Sequence, residues 1–239
     1  MEINQYSEDS LTLEFEDKIS PEINQLIVNL EQWIKDQEID GLIETVISFT
    51  NLLIYFDPMK TSREEIIKKL DQVDFDALRR KDLPSQIFEI PVCYGGKYGP
   101  DLDLFEENGL SPQEVIDLHA DKEYLVYMPG FMPGFVYLGG LDERIFTDRL
   151  NNPRTNIPAG SVGIGGKQTG MYPFDSPGGW NLLGRTPIRL YDTRRGEDTI
   201  LYGPGDKIVF KSITEERYEE ILQEVEEGTY QVPVREGNA

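Results

Sequence analysis

One cysteine and one histidine are all that 239 residues provide of the two most frequent zinc ligands. Without a second thiol no internal disulfide can form, and without a nearby histidine Cys93 fits no zinc pattern. Its thiol reads as a buried or neutral group rather than a reactive one. Positive charge is also scarce. Lys and Arg total 23 against 44 Asp and Glu, a formal charge of −21, so a phosphate backbone or an anionic membrane surface would be repelled. No stretch reaches the roughly 18 apolar residues of a membrane span. The opening "MEINQYSEDSLTLEF" lacks the basic start and apolar run of a secretory leader. A cytoplasmic protein without nucleic-acid or membrane partners is therefore expected, and its 38% hydrophobic content is enough for a buried core.

What is present begins with two alternating periodicities. "SLTLEF" (10–15) alternates like a half-buried strand, and Ser20-Pro21 supplies an N-cap followed by proline at the first helical position. Ile23, Leu26, Ile27, Leu30 and Ile34 then recur at three- and four-residue spacing, one apolar stripe of a helix. "LIETVIS" (42–48) and "LLIYF" (52–56) read as an antiparallel hairpin stopped by Asp57-Pro58. Ser62 and Glu65 form the capping box of a second helix, and "QIFEIPV" (86–92) reads as a further strand. The order βαββαβ predicts an α+β protein with a ferredoxin-like N-terminal domain over residues 1–90.

Beyond Pro91 the texture changes. Ser111-Pro112-Gln113-Glu114 opens another short helix, which ends at His119, and "EYLVYM" follows as a strand. Residues 129–187 hold twelve of the 22 glycines and almost no helical periodicity, and β-rich runs return at "IRLY", "TILY" and "KIVF". That spacing predicts a barrel or sandwich with elaborated loops over residues 91–239. A last amphipathic helix is expected over 214–228, with Tyr218, Ile221, Leu222 and Val225 packed inward.

The glycine-rich run "GGKQTGMYPFDSPGGWNLLGRTP" (165–187) matches no familiar phosphate loop. Gly165-Gly166-Lys167 is followed by Gln168 where a Walker A loop needs Ser or Thr, and a dinucleotide fingerprint starting at Gly163 would require glycine at 168. "AGSVG" (159–163) approaches a nucleophile elbow, but Pro158 and the following glycines leave no strand-to-helix turn for Ser161. Charge is more informative: over 129–187 five cations (Arg144, Arg149, Arg154, Lys167, Arg185) face four acids, within a chain that is otherwise strongly negative. Arginine forks and close-approaching glycine amides suit a small carboxylate or phosphate.

Three long blocks, "VIDLHADKEYLVYMPGFMPGFVYLGGLDERI", "NNPRTNIPAGSVGIGGKQTGMYPFDSPGGWNLLGRTP" and "GPGDKIVF", resemble the signature blocks of the family named after allophanate hydrolase subunit 1. "ETVISFTNLLIYFDP" resembles the family's N-terminal hairpin, which carries the likeness over nearly the whole chain. One departure is Val136 in "GFVYLGG", where the family usually has proline. The family also contains the B-type subunit of bacterial 5-oxoprolinase and the KipI-type inhibitor of a sporulation histidine kinase.

The resemblance implies a C-terminal cyclophilin-like β-barrel after the α/β domain. It implies membership of an ATP-dependent complex that opens 5-oxo-L-proline to L-glutamate. Its partners would be a C-type subunit resembling allophanate hydrolase subunit 2 (KipA-like) and a LamB/YcsF-like A-type subunit. ATP with magnesium is expected at the level of that complex, with no cofactor or metal evident in this chain. On the same footing the glycine-rich stretch becomes a pocket wall. Gln168 would bond an amide, Tyr172 cover a ring, Ser176, Gly178 and Gly179 offer a hydroxyl and amides, and Arg154 and Arg185 grip an anion. His119, the only side chain with an ordinary pKa near neutrality, is the candidate acid–base group, although a lone histidine at a helix end is more often a structural cap or packed residue. The alternative, a protein that binds and inhibits a histidine kinase, carries the same blocks and stays open.

Overall fold

The structure, a computed structural model, describes residues 1–16, 18–81 and 84–237. It divides into two compact units, one spanning Met1–Pro84 and the other beginning at Ser85. In the first unit, β1 (Glu2–Ser7), β2 (Ser10–Glu14), β3 (Leu42–Ile47) and β4 (Asn51–Phe56) form an antiparallel sheet in the order β1-β2-β4-β3. Helix α1 (Pro21–Asp36) starts where the sequence indicates, with the Ser20 side chain accepting from the Ile23 amide. Helix α2 (Arg63–Leu70) carries the Ser62/Glu65 capping box, which satisfies two otherwise orphaned donors reciprocally. The short α3 (Phe75–Arg79) completes the unit. Leu11, Leu13, Leu26, Ile27, Leu30, Ile34, Leu52, Ile54 and Ile66 are buried together, so the stripe of α1 meets the inward positions of β2 and β4.

The second unit is a closed barrel. Its strands are β5 (Ser85–Tyr94), β6 (Glu123–Pro129), β7 (Val136–Gly139), β9 (Ser161–Gly165), β10 (Gln168–Met171), β12 (Asn181–Arg185) and β13 (Lys207–Ile213). They run in the order β12-β9-β10-β7-β6-β13-β5, and β5 closes on β12 through Gly184 opposite Tyr94 and Arg185 opposite Cys93. Closure removes the sheet edges that would otherwise offer unpaired amides to a neighbour. A small ribbon, β8 (Arg154–Ile157) with β11 (Ser176–Gly178), stands beside the barrel, and β14 (Val234–Gly237) pairs with the first half of β5. Helices α4 (Pro112–His119) and α5 (Glu215–Glu227) belong to the same unit. Phe88, Ile90, Val92, Val126, Leu138, Val162, Ile164 and Phe210 fill its core.

An α+β protein with a small separate sheet and a barrel is what the sequence predicts, but two element assignments differ. The strand expected at 86–92 is not the last strand of a ferredoxin-like βαββαβ sheet. It is part of β5, which pairs in parallel with β13, so the boundary expected at 90–91 falls inside a barrel strand. The N-terminal sheet takes its fourth strand from β1 instead, giving the order ββαββα before α3. "EINQYS" is a largely exposed edge strand with no apolar alternation, so periodicity could not find it. The second difference lies at "IRLY" and "TILY". They contribute only one bridge, Tyr191 to Ile200, because the intervening segment coils into a 3₁₀ turn (Thr193–Asp198) clasped by Arg194 on Asp192.

Candidate functional site: an aromatic groove on the barrel

Two glycines of "GIGGKQTG", Gly165 and Gly170, have a packing reason in Trp180. The Trp180 indole lies across β9 and β10 where both strands lack a side chain. A Cβ on Gly165 would stand 2.3 Å from Trp180 Nε1, and one on Gly170 would stand 3.0 Å from Trp180 Cζ3. Around this indole the rings meet edge to face: Phe135 at 5.5 Å between centroids and Tyr172 at 6.2 Å, with Tyr137 tilted at 6.0 Å. Such pairs each contribute about 0.5–1.5 kcal/mol beyond their area, so the cluster is a rigid wall. Its edge is Phe131, which is 64% exposed and holds a left-handed φ of 46°, uncommon for a non-glycine residue.

These rings line an open groove of about 280 Å³, closed on its other side by Arg149, Pro153 and the Pro177-Gly178-Gly179 turn. Gly178 is required there, since a Cβ would stand 2.7 Å from the Tyr172 hydroxyl. Burial pushes the Tyr172 pKa up to about 12, so its hydroxyl stays protonated and can donate. The groove lies at the small end of the roughly 300–1,000 Å³ range of ligand pockets, which suits one small ring. Its lining holds one cation, Arg149, to meet a polyphosphate.

Of the residues expected at the site, Tyr172, Gly178 and Gly179 line this groove. Arg154 stands behind it as a clamp: Nη2 donates to Asp101 Oδ1 at 2.6 Å, and Asp101 Oδ2 accepts from the Leu182 amide at 2.7 Å. Ser176 lies two residues before Gly178 on β11, its Oγ buried without a partner among the described residues. Gln168 opens β10 opposite Gly165 and does not line the groove. Arg185, at the end of β12, donates Nε to the Ala159 carbonyl at 2.7 Å, away from the groove residues. Ser161 is buried and donates Oγ to the Pro158 carbonyl, in keeping with the absence of a nucleophile elbow. Phe131, Phe135 and Tyr137 are not expected at a site from the sequence, although the aromatic density of "GFMPGFVY" beside glycines is a signal for such a wall; Arg149 is one of the five cations and Trp180 lies within the glycine-rich run, without either being singled out.

His119 is not at the groove. It is fully buried in the barrel, stacked on Phe210 at 4.8 Å. Thr169 Oγ1 donates to the Gly163 carbonyl, so it accepts from His119 Nε2–H at 2.7 Å, and Nδ1 is left to accept from the Tyr94 hydroxyl, also at 2.7 Å. Burial holds the Tyr94 pKa well above its ordinary value, which keeps that hydroxyl a donor. The neutral Nε2–H tautomer thus satisfies every polar atom in the chain of bonds. Burial, with Lys122 nearby, lowers the His119 pKa from 6.5 to about 3. The ring is occupied on both nitrogens and has no exposed face for a substrate.

The geometry defines a two-unit α+β protein whose barrel presents an aromatic, arginine-edged groove. Residues 1–201 match the carboxyltransferase domain, subdomain C and D, and the chain belongs to that family. It is 38% identical over 240 residues to the B subunit of 5-oxoprolinase from Bacillus subtilis (strain 168), covering 93% of this chain and 97% of that one. It is 42% identical over 175 residues to the B subunit of 5-oxoprolinase from Haemophilus influenzae, covering 73% and 81%. The crystal structure of the K. lactis urea amidolyase superposes with a TM-score of 0.79 over 98% of this chain and 16% of that one. At 23% identity this likeness concerns the fold alone. Among the described residues no helix is long and apolar enough to cross a membrane.

Two expectations follow. Between pH 6.5 and about 3 the unfolded chain takes up a proton on His119 that the folded chain refuses. Stability from this residue is therefore complete above pH 6.5 and falls with acidification by up to about 1.4 kcal/mol per pH unit. Urea unfolding of wild type and His119→Gln across that range reads the difference: the variant, less stable at neutral pH, loses this part of the slope, and parallel curves would show that the imidazole is not held neutral. Gly165→Ala drives a methyl into Trp180 and should destabilise by about 1–3 kcal/mol with a shifted tryptophan emission. Gly203→Ala, where nothing lies within 4 Å, should stay within about 0.5 kcal/mol of wild type. Equal melting of the two variants would contradict the packing account.

Proposed function

We propose that this chain is the B-type subunit of an ATP-dependent complex that opens 5-oxo-L-proline to L-glutamate, and that its groove binds the lactam. The observation that carries the reading is a ligand-sized groove without the means of reaction. It offers ring faces, a protonated phenol and an arginine, but among its lining residues no nucleophile lies beside a base. Support comes from the relatives named as B subunits of 5-oxoprolinase, since that name itself denotes one part of an assembly.

The chemistry accommodates such a division. A cyclic amide is a poor electrophile, and phosphorylation of its oxygen by ATP activates it, which requires donors for both phosphate and carboxylate. ATP with magnesium belongs to the complex, and partners of the C type and A type supply the rest. In this chain the exposed Phe131 presents the ring surface against which the lactam rests, backed by the buried Phe135, Tyr172 and Trp180, and the Tyr172 hydroxyl donates to its carbonyl. A barrel from the C-type partner set against the open side would exclude water from the activated intermediate.

Mixing the purified chains with ATP and 5-oxoproline, and following glutamate and ADP, tests this. Glutamate is expected only when this chain and both partner types are present, and its formation stops when this chain is omitted. Robust glutamate production by this chain alone, or undiminished production without it, overturns the proposal.

A further inference from the structure

We infer that Arg149, held against Trp180, is the residue that selects for a carboxylate, so that the groove prefers a small planar ring bearing one carboxylate over the same ring without it. The inference rests on the lactam reading above and adds to it the residue that reads the charge. Its first support is a comparison of the arginines nearby. Arg144 is engaged by Asp142, Arg154 by Asp101 and Arg194 by Asp192, and Arg185 bonds the Ala159 carbonyl. Arg149 is exposed, and among the described residues no hydrogen bond or ion pair engages it. Arg189 and Lys167 are likewise exposed without an ion pair among the described residues, but of these cations Arg149 alone lines the groove.

The second support is that Arg149 is positioned from both sides. The Asn181 side chain, buried at the start of β12, donates Nδ2 to the Asp148 carbonyl at 2.8 Å, and the Leu150 amide donates to the Gly179 carbonyl at 2.7 Å. The residues flanking Arg149 are therefore tied to the residues flanking Trp180. Its guanidinium carbon lies 5.8 Å from the centroid of the Trp180 ring. At that distance the guanidinium is within cation–π range of the indole, and being exposed it keeps its N–H groups free to form the fork that takes a carboxylate with two parallel bonds. The same contact lowers the freedom that a long side chain would lose on binding.

The test compares two ligands that share the ring, 5-oxoproline and 2-pyrrolidinone, by calorimetric titration or ligand-observed NMR on the full chain, with wild type, Arg149→Gln and Arg149→Lys. Wild type should favour 5-oxoproline by about tenfold or more, as for one charged contact. Arg149→Gln should weaken 5-oxoproline by that factor and leave 2-pyrrolidinone within about twofold, while Arg149→Lys, a point charge without the fork, should keep part of the preference. Circular dichroism confirms that the variants fold. An unchanged preference in Arg149→Gln, an equal loss for both ligands, or no binding of 5-oxoproline by wild type overturns the inference. Because the titration needs neither partners nor ATP, a failed reconstitution with an intact preference would refute the proposed reaction and not this assignment. Reconstituted turnover with no carboxylate preference would do the reverse.

Discussion

The candidate site depends on one contact: a tryptophan indole laid flat on two neighbouring strands that have no side chains beneath it. Gly165 and Gly170 give Trp180 its bed, and Phe135, Tyr137 and Tyr172 are oriented by reference to that indole. The contact also fixes the chain on either side of Trp180. Asp101, tied to Arg154, holds the Leu182 amide, and Gly179 holds the Leu150 amide, so the segment bearing Arg149 is registered against the same indole. Glycine here is the absence of an obstacle rather than a hinge. This is a different use from that at Gly160, where a φ of 81° and a Thr186 carbonyl 2.3 Å from any Cβ forbid another residue.

Much of the first unit was legible because its signals are local. Ser20-Pro21 and the Ser62/Glu65 box announce helix starts through hydrogen bonds made within three residues, and the stripe of α1 needs only its own period. What failed was assigning a strand to a partner. "QIFEIPV" is a strand by composition, but whether it joins the N-terminal sheet or the barrel is decided by pairing with β13, about 120 residues later in the chain, information that no local pattern contains. The site shows the same division. Tyr172, Gly178 and Gly179 were found because they share one glycine-rich block. Arg149 and Phe131 reach the groove from other segments and only the fold brings them there.

His119 illustrates how chemistry and burial separate. Its ordinary pKa makes it the natural candidate for acid–base work in any sequence with a single histidine. Inside the barrel, with Tyr94 and Thr169 taking its two nitrogens, it becomes a neutral cross-brace between β5, α4 and β10. On the proposed reading, the chemistry shifts accordingly from a titrating group to a groove surface that packs on the ligand, donates to it and reads its charge.

Trp33 and Trp180 are the two tryptophans of the chain, so a Trp33→Phe variant reports on the groove alone. Producing this variant with 5-hydroxytryptophan, which is excited at wavelengths where the partner chains' tryptophans do not absorb, and titrating it in the assembly with 5-oxoproline while recording Trp180 emission tests whether the groove is the ligand site. A saturable change with its midpoint at the concentration that half-saturates turnover is the predicted result. Emission that stays constant while turnover saturates would contradict the account.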